Sequence, residues 1–499
     1  MFCPSCGKEA TPGAKFCTEC GKRLPEEVSA PVDTSPVDSS PIDPPKKKKV
    51  PVKFILALVI LVAVLALGGK LLSGFISGNG GGGKGSIVAV TNPNFRLNDG
   101  FIVPVEQQKS APTGFIPIST ATEFDKIRQN PSADYILMAD IDLSGWSWTP
   151  IKQFNGTLDG NGYTVSGLNA TLIEETKDAL IQNLSVHGQI TDDGAGIVHE
   201  LKDSVLYNCC FSGSVDNSSG SAAGLVYTVN DSTVDSCYNT ANVTANKSVA
   251  AGLAARGTGD RYVIQNCFNQ GNILNLGNDT SSLSYNYAAG ILGRNERCSG
   301  TIRHCYNSGS IRCKDNDDYP IYSYYGTAMA CGILGYAQVV EGDHLSVSLC
   351  YNSGTVEGGD LAFGIGLAWG TSALRTQVNN CYNSGEFVHS NSYGIAGCVS
   401  DSGNIVDLPI TYCYNASTTG AAAISNNSTN LYQCYYLDEV SEAVPGGPLF
   451  SDVFALSAHE MAKKDSFAFD FDTVWTMGKG DYSYPVFGYR NFEIVDAIA

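Results

Sequence analysis

From residue 205 to residue 440 the chain repeats itself, and this self-similarity restricts its fold more than any other feature. One signature, C-[YF]-N-x-G-x-[VI], is seen whole or in part as CFSGSV from Cys210, CYNTANV from Cys237, CFNQGNI from Cys267 and CYNSGSI from Cys305. It returns as CYNSGTV from Cys350, CYNSGEF from Cys381, CYNAST from Cys413 and CYYLDEV from Cys434. A small-residue signature interleaves strictly with it: AGLVY at Gly224, AGLAAR at Gly252, AGILGR at Gly290, CGILGY at Gly332, FGIGLA at Gly364 and YGIAGC at Gly394. Successive cysteines stand 27, 30, 38, 45, 31, 32 and 21 residues apart. Periods of this size indicate a solenoid, and short apolar runs broken by Gly and Asn make it a β-solenoid instead of a helical array. The expected fold is mainly β, a right-handed parallel β-helix over 136–440, with a leading segment at 87–135 and a C-terminal cap or tail at 441–499. Each coil should send a Cys and an aliphatic pair inward onto the same residues one rung away. The Asn after the aromatic residue is expected in a bridging or left-handed turn, with its amide laddered along the stack. A propeller would need about four strands per unit and a closed repeat number, which freely varying insertions do not suit.

Charge divides the chain. The first 85 residues sum to +4 and the remainder to −22. So acidic a domain repels polyanions, which excludes nucleic acid as an expected partner. Seventeen cysteines divide as sharply, four before Cys20 inclusive and thirteen from Cys209 to Cys434. The thirteen are expected to be mostly buried thiols, because parallel in-register neighbours about 4.8 Å apart exceed the ~3.8 Å Cβ separation of a disulfide. Cys209, Cys298, Cys313, Cys331 and Cys398 are expected outside the stacked row.

Residues 1–24 read MFCPSCGKEATPGAKFCTECGKRL, two C-x-x-C-G knuckles. Cys3, Cys6, Cys17 and Cys20 supply four soft thiolates for a tetrahedral Zn2+, which leaves no open position for catalysis. A segment this short needs the metal as its folding energy. It resembles the zinc ribbon at the start of many bacterial membrane proteins. Residues 25–50 form a Pro- and Ser-rich linker ending in Lys46–Lys49, and 77–86 a Gly-rich spacer. Between them, 51–76 contain 16 uncharged residues from Phe54 to Gly69, roughly 24 Å of helix that Lys53 and Lys70 extend by snorkelling. A transmembrane signal anchor follows as the expectation. The lysines before it keep the N-terminus inside, and the repeat domain is extracellular.

Gly290–Gly293 and Gly332–Gly335 both read GILG, and on them the repeats resemble bacterial surface proteins carrying GLUG motifs. The resemblance takes in the leading YILMADIDLSGWSWTPI and FNGTLDGNGYTVSGL and the tail FALSAHEMAKKDSFAFDFDTVWTMGKGDYSYPVFG, about residues 115 to 490; GIGLA at Gly364 and the strand near Ala421 depart from it. It implies a membrane-anchored surface protein, adhesin-like, that binds a glycan or protein ligand. The rival reading is a carbohydrate-active β-helix enzyme, a polysaccharide lyase or hydrolase. Such chemistry needs paired carboxyls, and Asp140, Asp142 and Asp159 form the one tempting set, read here as turn caps. His199-Glu200 and His459-Glu460 lack the second histidine of a zinc peptidase motif. Catalysis is therefore not expected.

Insertion lengths mark the binding side. From each Cys signature to the next Gly signature there are 14, 15, 23, 27, 14 and 13 residues. The two longest gaps hold NLGNDTSSLSYNY, from Asn275 to Tyr287, and KDNDDYPIYSYYG, from Lys314 to Gly326. Solenoids often place insertions on the binding face. Tyr285, Tyr287, Tyr319, Tyr322, Tyr324 and Tyr325 would offer amphipathic rings to it. Arg256 and Arg294 take the same place on neighbouring coils, four residues past the signature Gly, and Tyr336 follows on the next.

Overall fold

The computed structural model describes residues 103 and 105–488, apart from 192–193, 279–285, 315–327, 370–374, 389–390, 400–407, 446–450 and the single residues 421, 427, 429, 441 and 481. The chain divides into two units, Met1–Gly85 and Ser86–Ala499, and every described residue belongs to the second. The zinc knuckles and the expected membrane span lie outside the described residues. Within the described residues no helix is long and apolar enough to cross a membrane.

One coil shows the plan. Thr233–Asp235 lies in a first sheet, Tyr238–Asn239 and Asn242–Ala245 in a second, Val249–Ala251 in a third and Ala254–Thr258 in a fourth. The next strand, Arg261–Gln265, returns to the first sheet and sets Val263 opposite Thr233. Repetition builds parallel sheets of 12, 16, 6 and 8 strands. Each coil pairs with the coils beside it, as in a β-solenoid; the closed ring of a propeller does not form. The antiparallel pairing among the described residues is the hairpin of Trp475–Met477 with Pro485–Phe487. In-register pairing turns the aliphatic positions into columns, such as Val215, Val243, Ile273, Ile311 and Val356, all buried. At the N-terminal end, Thr120 caps the helix Ala121–Asp125, and Phe124 and Ile127 are buried beside the first coils.

The corner between the first and second sheets corrects one expectation. The left-handed residue stands immediately before each Cys that enters the stacked row, at Asn208 before Cys209 and at Ser236, Asn266, His304, Leu349, Asn380, Tyr412 and Gln433 before the signature Cys, with φ between +48° and +55°. Parallel register places the sharp bend there, so even Leu349 and Tyr412 adopt it. The Asn after the aromatic residue lies in a strand with its amide inside the coil. Asn239 donates from Nδ2 to Oδ1 of Asn269 at 2.8 Å, Asn269 to Asn307 at 2.7 Å, Asn307 to Asn352 at 2.8 Å, Asn352 to Asn383 at 2.8 Å and Asn383 to Asn415 at 2.9 Å. The expected ladder is present, without the expected turn.

This ladder explains why the two signatures alternate. A Cβ on Gly252, Gly290, Gly332, Gly364 or Gly394 would collide with the carbonyl oxygen of the residue one rung on and with the Asn side chain of that same next coil. Only glycine fits between the backbone and the amide column. The second glycine of GILG has a different reason. A Cβ on Gly293 would strike Val249, and one on Gly335 would come within 3.3 Å of the Tyr287 Cβ. The outer faces of the third and fourth sheets therefore pack together, with larger side chains of the third lying over small residues of the fourth.

The first repeat is also shifted by one residue. Cys210 pairs with Tyr238 and Phe211 with Asn239, so Cys209 takes the row position. Its amide lies 3.4 Å from the Cys237 Sγ, as the Cys237 amide does from the Cys267 Sγ. None of these thirteen cysteines forms a disulfide, and twelve are buried. Burial pushes the Cys209, Cys267, Cys350 and Cys413 thiols up, and the Cys434 thiol to about 12.

On the outside of the second sheet, Tyr238, Phe268, Tyr306, Tyr351, Tyr382 and Tyr414 stack 4.7 to 5.0 Å apart. The tail closes over the later part of this stack. Val453–Leu456 pairs with Cys434–Leu437, and the helix Ala458–Met461 follows behind a Ser457–Glu460 capping box. Trp475 then packs 6.1 Å from Tyr382 and 5.9 Å from Tyr414, and its Nε1 donates to Asn380 Oδ1 at 3.0 Å. The tail is a clasp along the side of the solenoid.

Candidate functional site

Strands of the fourth sheet run Ile173–Lys177, Val198–Lys202, Val226–Asn230, Ala254–Thr258, Leu292–Glu296 and Leu334–Gln338. Their first and fourth residues are buried, which leaves the second and third to face outward. Register then aligns the third residues into one column: Glu175, Glu200, Thr228, Arg256, Arg294 and Tyr336. The expected Arg256, Arg294 and Tyr336 alignment is thus present.

Side-chain contacts join this column to its neighbours. The Arg256 guanidinium lies over the Tyr227 ring at 5.4 Å, and that of Arg294 over Tyr336 at 5.4 Å. Both face one carboxylate, with Nε 3.8 and 3.3 Å from Glu296 Oε1. Tyr227 stacks on His199 at 4.5 Å, and His199 Nδ1 lies 3.9 Å from Glu174 Oε1. A line of charged and aromatic groups therefore crosses successive rungs, with Arg256 and Arg294 side chains each 35% exposed.

Tyr287 differs from its expected role. It is buried in the angle between the third and fourth sheets, 5.0 Å from the Tyr336 ring, which is itself buried. Neither ring presents an open face, because small residues of the fourth sheet let the third sheet's side chains fold inward over them. Tyr285, Tyr319, Tyr322, Tyr324 and Tyr325 lie outside the described residues. The bases of their insertions are described: one lies between Ile273–Asn275 and Asn286–Ala289, the other between Ile311–Cys313 and Ala328–Cys331. Both leave the coil between the second and third sheets on adjacent rungs. Asn275 ties the first base shut by donating to the Tyr287 carbonyl at 3.1 Å.

Sequence reasoning missed Tyr227 and Glu296, and weighed His199 only as part of an incomplete zinc-peptidase motif. Aligning the small-residue signatures would have exposed Tyr227 as the large residue at the place Ala255 and Gly293 occupy, but nothing local marks Glu296 as the partner of two arginines. The three aspartates are turn and corner acceptors: Asp140 accepts from the Thr164 amide, Asp142 from that of Ser144, and Asp159 from Asn161, Gln182 and Asn183. Among the described residues no cluster of His, Cys, Asp or Glu has the arrangement of a metal site.

No curated protein matches the chain. Among solved structures it is similar to a candidate immunoglobulin A1 protease from Bacteroides ovatus, with 15% identity and a TM-score of 0.34 over 78% of this chain and 95% of that one, a likeness too remote to bear on function. Residues 2–24 match the zinc-ribbon family. The N-terminal segment is accordingly a zinc-ribbon domain, a class of domain that binds zinc.

Proposed function

We propose that this is a bacterial cell-surface protein anchored by one transmembrane helix at 51–76, whose right-handed β-helix binds an extracellular glycan or protein ligand without catalysis. Cys3, Cys6, Cys17 and Cys20 hold a structural Zn2+ on the cytoplasmic side, where thiolates stay reduced. Membership among GLUG-repeat proteins is supported by the separate packing reasons for the two glycines of GILG. The observation that supports the binding role is the partly exposed Arg256 and Arg294 pair on the fourth sheet, which adjoins, through the Tyr287–Tyr336 contact, the third-sheet strand Asn286–Ala289 that follows the first long insertion. Long insertions in a regular array are where recognition concentrates.

The test is binding of the full chain in detergent to glycan and surface-protein arrays. Tyr322→Ala with Tyr324→Ala should lower binding at least about tenfold while the strand signal in circular dichroism is unchanged. Full binding by that folded variant would move the site elsewhere. Release of new sugar ends from a polysaccharide panel would favour the enzyme reading instead.

A further inference from the structure

Resting on that reading of the fourth-sheet face, we propose that its ligand is a sugar acid with a single carboxylate, received jointly by Arg256 and Arg294. The two arginines are one rung apart, about 4.8 Å along the sheet. One carboxylate, Glu296, serves both, so the pair keeps a net positive charge. Each guanidinium has a face over a tyrosine, which leaves its edge, where the N–H donors point. Guanidinium groups bind carboxylates through that edge, with paired hydrogen bonds. The Nε of each arginine is buried, with Glu296 at ion-pair distance from it, so a ligand meets the Nη end of side chains that are each 35% exposed. This cationic spot is held in place from behind by tyrosine rings and Glu296, and its outer end is open to solvent.

The surroundings limit the charge of the ligand to one. Thr228 separates Arg256 from Glu200 and Glu175 in the same column, and Glu174 stands beside them. A second anionic group further along a polyuronate would meet these carboxylates, in a domain already at −22. Neutral sugar hydroxyls do the opposite, since they donate to carboxylates. Thr228 and the Glu side chains give a run of acceptors across the rungs that hydroxyl groups can fill and that an extended peptide, with one N–H per residue, fills poorly.

A tetrasaccharide ending in glucuronic acid, and the methyl ester of the same sugar, test this by calorimetry on the full chain. The acid should bind at least about tenfold more tightly than the ester. Arg256→Gln with Arg294→Gln should abolish that preference, and Arg294→Lys should retain part of it, since charge remains without the paired donors. Glu296→Gln should strengthen acid binding by removing the competing carboxylate. Equal affinity for acid and ester, a preference that survives in the double variant, or binding of neither sugar would overturn the inference. The binding role itself would still stand if array ligands depended on Tyr322 and Tyr324, so the two failures are distinguishable. Acidic peptides bound in preference to the sugar acid would also overturn it.

Discussion

The asparagine column shows how a single side chain can set both a backbone position and its neighbours. Asn307 accepts from Asn269 and donates to Asn352 and to the Gly309 carbonyl, fully buried. Its amide also fills the space that forces residue 290 to be glycine. Asn307→Ala should remove one of the two bonds donated by the Asn269 amide and one of the two accepted by Asn352 Oδ1, at a cost of about 1–3 kcal/mol in all. A lower denaturant midpoint would show it, and a midpoint equal to the parent would refute the ladder as a stabilising device. Gly290→Ala should be worse, since the added methyl meets backbone as well as amide. Asn and Gly at these places were legible as repeated letters; that they touch each other was not, because each glycine meets the Asn of the next coil.

At the scale of elements, the tail and the aromatic stack depend on each other. Tyr351, Tyr382 and Tyr414 face away from the coil interior yet are fully buried, because Trp475, Phe469 and Phe487 cover them. Trp475→Ala should cost about 3–5 kcal/mol of clasp stability. The expected readout is proteolysis within 451–488 at protease levels that leave the parent intact, while the β-helix itself resists; an unchanged digestion pattern would mean that the tail is held by other contacts. The alternation that defines the strands predicts an outward ring on each coil. It does not predict a cover, since the covering residues come from a segment without the repeat.

For the whole molecule, the zinc ribbon and the solenoid are separate folding problems. Cys17→Ser should reduce bound zinc from one to none per chain by metal analysis, with the strand signal of the full chain unchanged; zinc retained in the variant would remove the assignment of Cys17 as a ligand. Sequence alone determined the repeat period, the parallel β class, the stacked thiols and the ribbon, because each follows from local spacing or from a motif whose chemistry is contained within it. Tertiary structure alone decided that Cys209 and not Cys210 enters the row, that Tyr287 turns into the angle between two sheets, and that Tyr227 and Glu296 join the arginines. A repeat states which residue will lie above which. Where the corners fall, and so which side chains face water, depends on packing between strands that are neighbours only in the folded coil.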